Sequence, residues 1–176
     1  MRVTGGRYNG RTIKCPKGII RPAMDRMRVS MFSILGPMEG LSYLDIFTGS
    51  GSIGIEAASR GAEPVHLVEK DFIKKKTIQE NISWVETEIK LFMQPAERFL
   101  KHCTDSYDLI HMDPPFPMGG KLKVLELAEK AAVLKIGGTL TMHYPGEESY
   151  PETIGSFRQY DLRKYGRSEL IFYTRD

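Results

Sequence analysis

The stretch "YLDIFTGSGSIGIEAASRG", residues 43–61, decides the fold. It begins as an apolar, aromatic run (YLDIF), passes through a loop of closely spaced glycines, and continues with apolar residues at helical spacing until Gly61 stops it. That is a strand, a tight loop and a helix. The loop "GSGSIG" fits G-x-G-x-x-G with Gly49, Gly51 and Gly54. Glycines there permit a tight turn and let a ligand approach the backbone at the helix N-terminus.

The same alternation continues outward. "PVHLVE" (64–69), "IKLFM" (89–93), "YDLIHM" (107–112) and "GTLTMHY" (138–144) read as strands. Between them, helices are predicted from Asp71 to about Val85, over 95–103 with Pro95 at the first position, and from about Gly120 to Leu134. "FRQYDLRKYG" and "SELIFYTR" read as two antiparallel strands with no helix between them. Upstream, Met24, Met27, Met31, Ile34 and Leu35 fall at helical spacing before Gly36-Pro37, and "RVT", a Gly-Gly turn and "GRTIK" predict a hairpin. The expected fold is α/β: a Rossmann-like, mostly parallel sheet of about seven strands, an antiparallel edge, helices on both faces and an N-terminal β-hairpin. Ligands in such sheets bind beyond the C-terminal ends of the strands.

Composition fits one soluble globular domain: 176 residues, 41% hydrophobic and 27% charged. No run is apolar and long enough to span a bilayer, and "MRVTGGRYNGR" lacks the apolar core of a signal peptide. Cys15 and Cys103 are far apart and the four histidines are scattered, so a reduced cytoplasmic protein without a metal site is expected. Charge is uneven. Residues 1–28 hold eight Lys or Arg against Asp25 alone, a net +7, while the remainder carries −4. A basic segment on an acidic body suggests a polyanionic partner, and a solvated N-terminus is the plainer alternative. Residues 1–22 are therefore read as a basic extension and 23–176 as the catalytic domain.

Two acids flank the glycine loop. Asp45 lies within the first strand, where a cationic ligand group would meet it, and Glu69 ends the next strand, where a carboxylate receives hydrogen bonds from a ribose diol. A phosphate gains little from so near a carboxylate. A ligand with an ammonium and a ribose suits both acids, and S-adenosylmethionine is one. The expected cofactor contacts are Asp45, Phe47, Gly49, Ser50, Gly51, Glu69 and Lys70. A capped turn at Asp45 and a solvated strand end at Glu69 are the structural alternative.

"HMDPPFP" (111–117) ends another strand in an acid and two prolines. Pro114 and Pro115 fix φ and stiffen the loop. A delocalised exocyclic amine needs acceptors for its N–H groups. Asp113 and the Pro114 carbonyl supply two, and Phe116 can stack on the base that bears it. A rigid strand-end turn is the alternative.

With these motifs in order, the chain resembles the RsmD-type ribosomal RNA (guanine-N2) methyltransferases. The resemblance runs through "VTGGRYNGRTI", "IRPAMDRMRVSMFSIL", "LDIFTGSGSIGIEAASRGA", "LVEKD" and "DPPF". It implies methyl transfer from S-adenosylmethionine to a guanine amine in small-subunit ribosomal RNA, naked or assembled, with Asp113, Pro114 and Phe116 holding the base. It also implies an RNA grip by the hairpin, with Arg2, Arg7, Arg11, Lys14, Arg21, Arg26 and Arg28 as the basic contacts, in a monomer. The chain departs from the family pattern at Ala23 (usually Thr), Val29 (Glu), Pro95 (Asn or Asp) and His143 (Glu). Pro95 shifts the expected adenine contacts to Gln94 and the Ala96 backbone. Three alternatives stay open: methylation of DNA adenine or a protein glutamine, a nicotinamide-dependent oxidoreductase, which leaves DPPF unused, and a non-enzymatic RNA-binding module, which leaves the glycine loop unused.

Overall fold

The computed structural model describes residues 1–15 and 22–176. Its elements are α1 (Pro22–Leu35), β1 (Tyr43–Ile46), α2 (Ser52–Ser59), β2 (Val65–Glu69), α3 (Lys75–Ile82), β3 (Ile89–Met93), α4 (Ala96–His102), β4 (Tyr107–Met112), α5 (Lys121–Lys130), β5 (Leu134–Pro145), β6 (Thr153–Ile154), β7 (Phe157–Tyr165) and β8 (Ser168–Arg175). The strands form one sheet in the order β3-β2-β1-β4-β5-β8-β7-β6. The first five are parallel; β8 runs antiparallel to β5, and β7 and β6 continue antiparallel. The expected α/β architecture therefore holds, with a third antiparallel strand, β6, beyond the expected pair.

Successive strand side chains point to opposite faces, and β1 is buried on both. Leu44 and Ile46 join a core with Phe99, Leu100, Val124 and Leu125 of α4 and α5. Tyr43 points the other way, into a core with Met27, Met31 and Phe32 of α1, Ala57 and Ala58 of α2 and Ile78 of α3.

Three boundaries differ from the sequence reading. α1 starts at Pro22, a residue suited to a first helical position. Asp71 accepts from the Ile73 N–H at 3.0 Å and opens a single 3₁₀ turn, Phe72–Lys74, before α3 begins. α5 ends at Lys130, and β5 already begins at Leu134, so Gly137-Gly138 lies inside the strand. Pairing with β4 jumps from Tyr107↔Leu134 to Leu109↔Thr139, a bulge where Gly137 takes φ 75°.

The N-terminal hairpin is reduced to one antiparallel bridge, Arg2↔Thr12, supported by Val3 N–H to Arg11 O at 3.0 Å and Ile13 N–H to Met1 O at 2.9 Å. This arm is docked on the domain. Val3, Tyr8 and Ile13 are buried with Ile55 of α2 and pack on Trp84 and Val85. Trp84 is thus a packing residue. Beneath the arm lies Glu56, fully buried, accepting from Thr4 N (2.8 Å), Thr4 Oγ1 (2.7 Å) and Arg60 Nε (3.0 Å). Arg28, 3% exposed, lies 3.9 Å from Glu56 and donates to the Arg2 carbonyl at 2.8 Å. Removing one member of a buried ion cluster leaves the others desolvated and uncompensated. Glu56→Ala should therefore lower unfolding free energy in urea by about 3–5 kcal/mol, and Glu56→Gln, which keeps acceptor oxygen, should lose less.

Candidate active site

The C-terminal ends of β1, β2, β4 and β5 open on one cleft of about 730 Å³. Phe47, Gly49, Glu69 and Lys70 line one part of it; the loop from Asp113 to Pro117, with His143, lines another; Tyr165, Arg167 and Ser168 close it from the β7–β8 turn.

The glycine loop leaves β1 through a left-handed residue that is not glycine. Phe47 has φ 65°, held by N–H bonds from Phe47 (3.0 Å) and Thr48 (3.1 Å) to the Val68 carbonyl. Strain of this kind persists where surrounding bonds over-determine it. Gly51, with φ 82°, precedes α2. Gly54 serves packing: a Cβ there would stand 2.2 Å from Leu67 Cδ2, so the missing side chain lets α2 approach β2.

Asp45 is 1% exposed beneath the loop. Its Oδ2 accepts from Thr48 Oγ1 at 2.5 Å and Gly54 N–H at 3.1 Å, while its Oδ1 is buried without a hydrogen-bond partner. Burial pushes its carboxyl up to about 7, and the charges of Asp113 and Glu69 push the same way. Glu69 is not a solvent-facing strand end: it is 6% exposed, and accepts from the N–H groups of Gly49, Lys70 and Asp71, each at 3.0 Å. A buried carboxylate oxygen lacking a donor, beside a second carboxylate on the cleft wall, fits a ligand bearing an ammonium and hydroxyls. The two carboxylates suit the chemistry of S-adenosylmethionine, but only Glu69 lines the cleft; Asp45, Ser50 and Gly51, expected as cofactor contacts, do not.

Asp113 leaves β4 with its N–H on the Ile46 carbonyl (3.2 Å), which ties the reacting loop to β1. Its Oδ1 lies 2.9 Å from His143 Nδ1. Phe116 sits against the same imidazole, ring centroids 5.2 Å apart. The loop's far side is fixed by Lys121, 4% exposed, which donates to the Phe116 carbonyl (2.8 Å) and to Glu148 (2.6 Å). Acid, aromatic ring and glycine loop thus face one space.

Other expected residues fall elsewhere. Ser50 is buried under the loop, its carbonyl accepting from Asn81 Nδ2 at 2.9 Å. Gln94 and Ala96 follow β3 near the same edge, since Glu69 pairs with Met93, but neither lines the cleft. Arg2, Arg7, Arg11, Lys14 and Arg26 are exposed. Arg7 is paired with Glu86, Arg11 lies 4.7 Å over the Trp84 ring, and Lys14 bonds Glu80 at 2.9 Å. Arg28 departs from the expected RNA contact, because docking of the arm buries it. Arg21 and the Ala23 side chain lie outside the described residues. Sequence reasoning missed Asp71, Lys74, Tyr165, Arg167 and Ser168, and met His143 only as a departure. The signal was available: a strand antiparallel to β5 must begin at the edge where β5 ends, and Ser168 indeed pairs with Pro145.

Among the described residues, no group of three or more His, Cys, Asp or Glu could hold a metal ion, and no helix is long and apolar enough to cross a membrane. The family described as "Conserved hypothetical protein 95" matches residues 1–174. The Bacillus subtilis protein YlbH is 31% identical over 182 residues, covering 99% of each chain. Ribosomal RNA small subunit methyltransferase D of Escherichia coli is 30% identical over 179 residues, covering 100% of this chain and 90% of its own. A solved structure of the T. thermophilus 16S rRNA N2 methyltransferase RsmC, in complex with AdoMet and guanosine, has a TM-score of 0.71 at 23% identity over 91% of this chain and 44% of that one, a likeness of fold. Fold and relatives together define a methyltransferase. Within that class, the chain belongs to the RsmD family, the one its motifs resemble.

An Asp45 that meets the ligand's ammonium would make cofactor binding pH-dependent: its burial-raised carboxyl would ionise on binding and release a proton, so affinity would tighten as pH rises. S-adenosylhomocysteine affinity, measured calorimetrically, should increase about tenfold between pH 6 and pH 8, the change in ionised fraction across a midpoint near 7. Asp45→Asn should flatten that trend.

Proposed function

We propose that this chain methylates the exocyclic N2 amine of a guanine in small-subunit ribosomal RNA. The observation that carries this reading is the placement of Asp113 and Phe116 across one cleft from Gly49 and Glu69. Bound S-adenosylmethionine supplies an electrophilic methyl group on a sulfonium. The protein's part is positioning and electrostatics. Glu69 and the loop hold the cofactor end. Phe116 stacks on the extruded base, and Asp113 with the Pro114 carbonyl accepts the amine hydrogens, aiming the nitrogen lone pair at the methyl carbon. As the N–C bond forms, the C–S bond breaks and its electron pair stays on sulfur. Positive charge then moves to the nitrogen beside Asp113, and one proton leaves to water.

The relatives' names support ribosomal RNA as the substrate class, and that substrate supports a cytoplasmic location. The arm's exposed Arg2, Arg7, Arg11 and Lys14, with Arg26 on α1, form the surface proposed to meet phosphate. The reading is of a monomer. The DNA-adenine and protein-glutamine readings need the same loop but gain nothing from relatives named for ribosomal RNA.

Two experiments test this. In single-turnover transfer to small-subunit ribosomal RNA, Asp113→Ala should lose at least about 100-fold in rate with S-adenosylhomocysteine affinity near wild type, because the lost interaction acts in the transition state. Asp113→Asn, whose amide oxygen still accepts, should keep part of the rate; equal loss in both would make Asp113 a general base, and a wild-type rate in Asp113→Ala would end the assignment. Separately, the double substitution of Arg2 and Arg26 by Gln should reduce the slope of log affinity for RNA against log salt by about 1–2. Both side chains are exposed, so folding should be unaffected, and an unchanged slope would remove this surface from the RNA contact.

A further inference from the structure

We propose that His143 is the positioning residue for Asp113. Its Nδ1–H holds one carboxylate oxygen so that the other faces the target amine, while its ring backs Phe116. The inference rests on the functional reading above and extends it to a residue outside the D-P-P-F motif.

The sheet puts the pair together. Met112 of β4 is in register with Met142 of β5, so the next residues on each strand, Asp113 and His143, emerge side by side at the cleft. β5 is held on its other edge by β8, with His143 opposite Leu170, so the imidazole stands on a strand fixed from both sides. Asp113 belongs to a loop. The pairing therefore ties a loop side chain to a strand.

The geometry defines what each group does. His143 Nδ1 lies 2.9 Å from Asp113 Oδ1, and the His143 side chain is only 4% exposed against 25% for Asp113. A carboxylate only accepts, so the hydrogen between the two groups resides on Nδ1. Shielding from water strengthens that bond. A carboxylate torsion is otherwise broad and roughly two-fold. Fixing Oδ1 sets it and leaves Oδ2 with a defined direction. The same ring, with its centroid 5.2 Å from that of Phe116, also limits the stacking residue. One imidazole thus sets the relation between the acceptor of the amine and the ring that holds its base. The nearby His111 does not compete for this role: it is wholly buried, its Nδ1 bonds Thr141 Oγ1 at 2.8 Å, and burial lowers its pKa to about 4.

The test compares wild type, His143→Phe and His143→Asn. Phe keeps the ring and its contact with Phe116 but has no donor; Asn restores an N–H near the Nδ1 position. In single-turnover transfer, His143→Phe should be about 10- to 100-fold slower, the expected loss for one hydrogen bond to a charged group. KM for RNA and affinity for S-adenosylhomocysteine should stay within about twofold, since the bond acts on alignment rather than on binding. His143→Asn should recover most of the rate. A His143→Phe rate within about twofold of wild type overturns the proposal, as does a His143→Asn rate no better than that of His143→Phe. Nitrogen-15 NMR of the imidazole in the wild-type protein reads the pair without any turnover. It should show the Nδ1–H tautomer, lost in Asp113→Ala, and a dominant Nε2–H tautomer in wild type also overturns the proposal. If wild type transfers no methyl group to ribosomal RNA, the functional reading fails while the tautomer still decides the pairing.

Discussion

Strand β1 lies between β2 and β4, and the cleft follows from that pairing. Ile46 is in register with Val68 on one side and Met112 on the other. The next residues along the three strands are Phe47, Glu69 and Asp113, and all three stand at one level of the sheet's edge. Backbone bonds fasten the three positions together. Phe47 and Thr48 donate to Val68, Gly49 donates to the Glu69 carboxylate, and Asp113 donates to Ile46. Cofactor end and reacting end are consequently parts of one hydrogen-bonded edge, and the distance between them is set by strand spacing rather than by loop conformation.

That edge concentrates acids. Asp45, Glu69 and Asp113 are near enough for the latter two to raise the carboxyl of the first. Like charges held together in a poorly solvated place destabilise each other, and the field they make favours a cation. Glu69 is stabilised by three backbone N–H groups, whereas one Asp45 oxygen has no donor at all. The two acids thus differ in kind. The first is satisfied by the protein's own backbone, and the second keeps one oxygen without a donor.

Much of this was legible in the sequence, because the signals were local. Gly49 and Gly51 stand where one short turn needs them, and the prolines of D-P-P-F act on their own neighbours. The parallel sheet followed from the alternation of strands and helices. What stayed hidden depended on contacts between distant segments. Arg28 reads as a surface arginine on an amphipathic helix until the arm docks and covers it. Tyr165 and Arg167 reach the cleft only because β8 pairs antiparallel with β5. Gly137-Gly138 reads as a strand boundary, since a bulge is a property of two paired strands and not of one. Gln94 and Ala96 were placed by analogy at the end of β3, and the cleft wall does not extend to them.

The docked arm also bears on the order in which the chain acquires its structure. The partners of residues 4–14 lie far along the sequence: Thr4 bonds Glu56, Tyr8 bonds Ser59 and receives the Glu86 N–H, and Lys14 bonds Asn81. The arm has almost no ladder of its own, with one bridge between Arg2 and Thr12. The 78 residues separating Tyr8 from Glu86 form a long loop. Closing such a loop costs entropy before its contacts repay it. Docking of the arm over α2 is therefore favoured only once α2 and the segment reaching Glu86 are already in place.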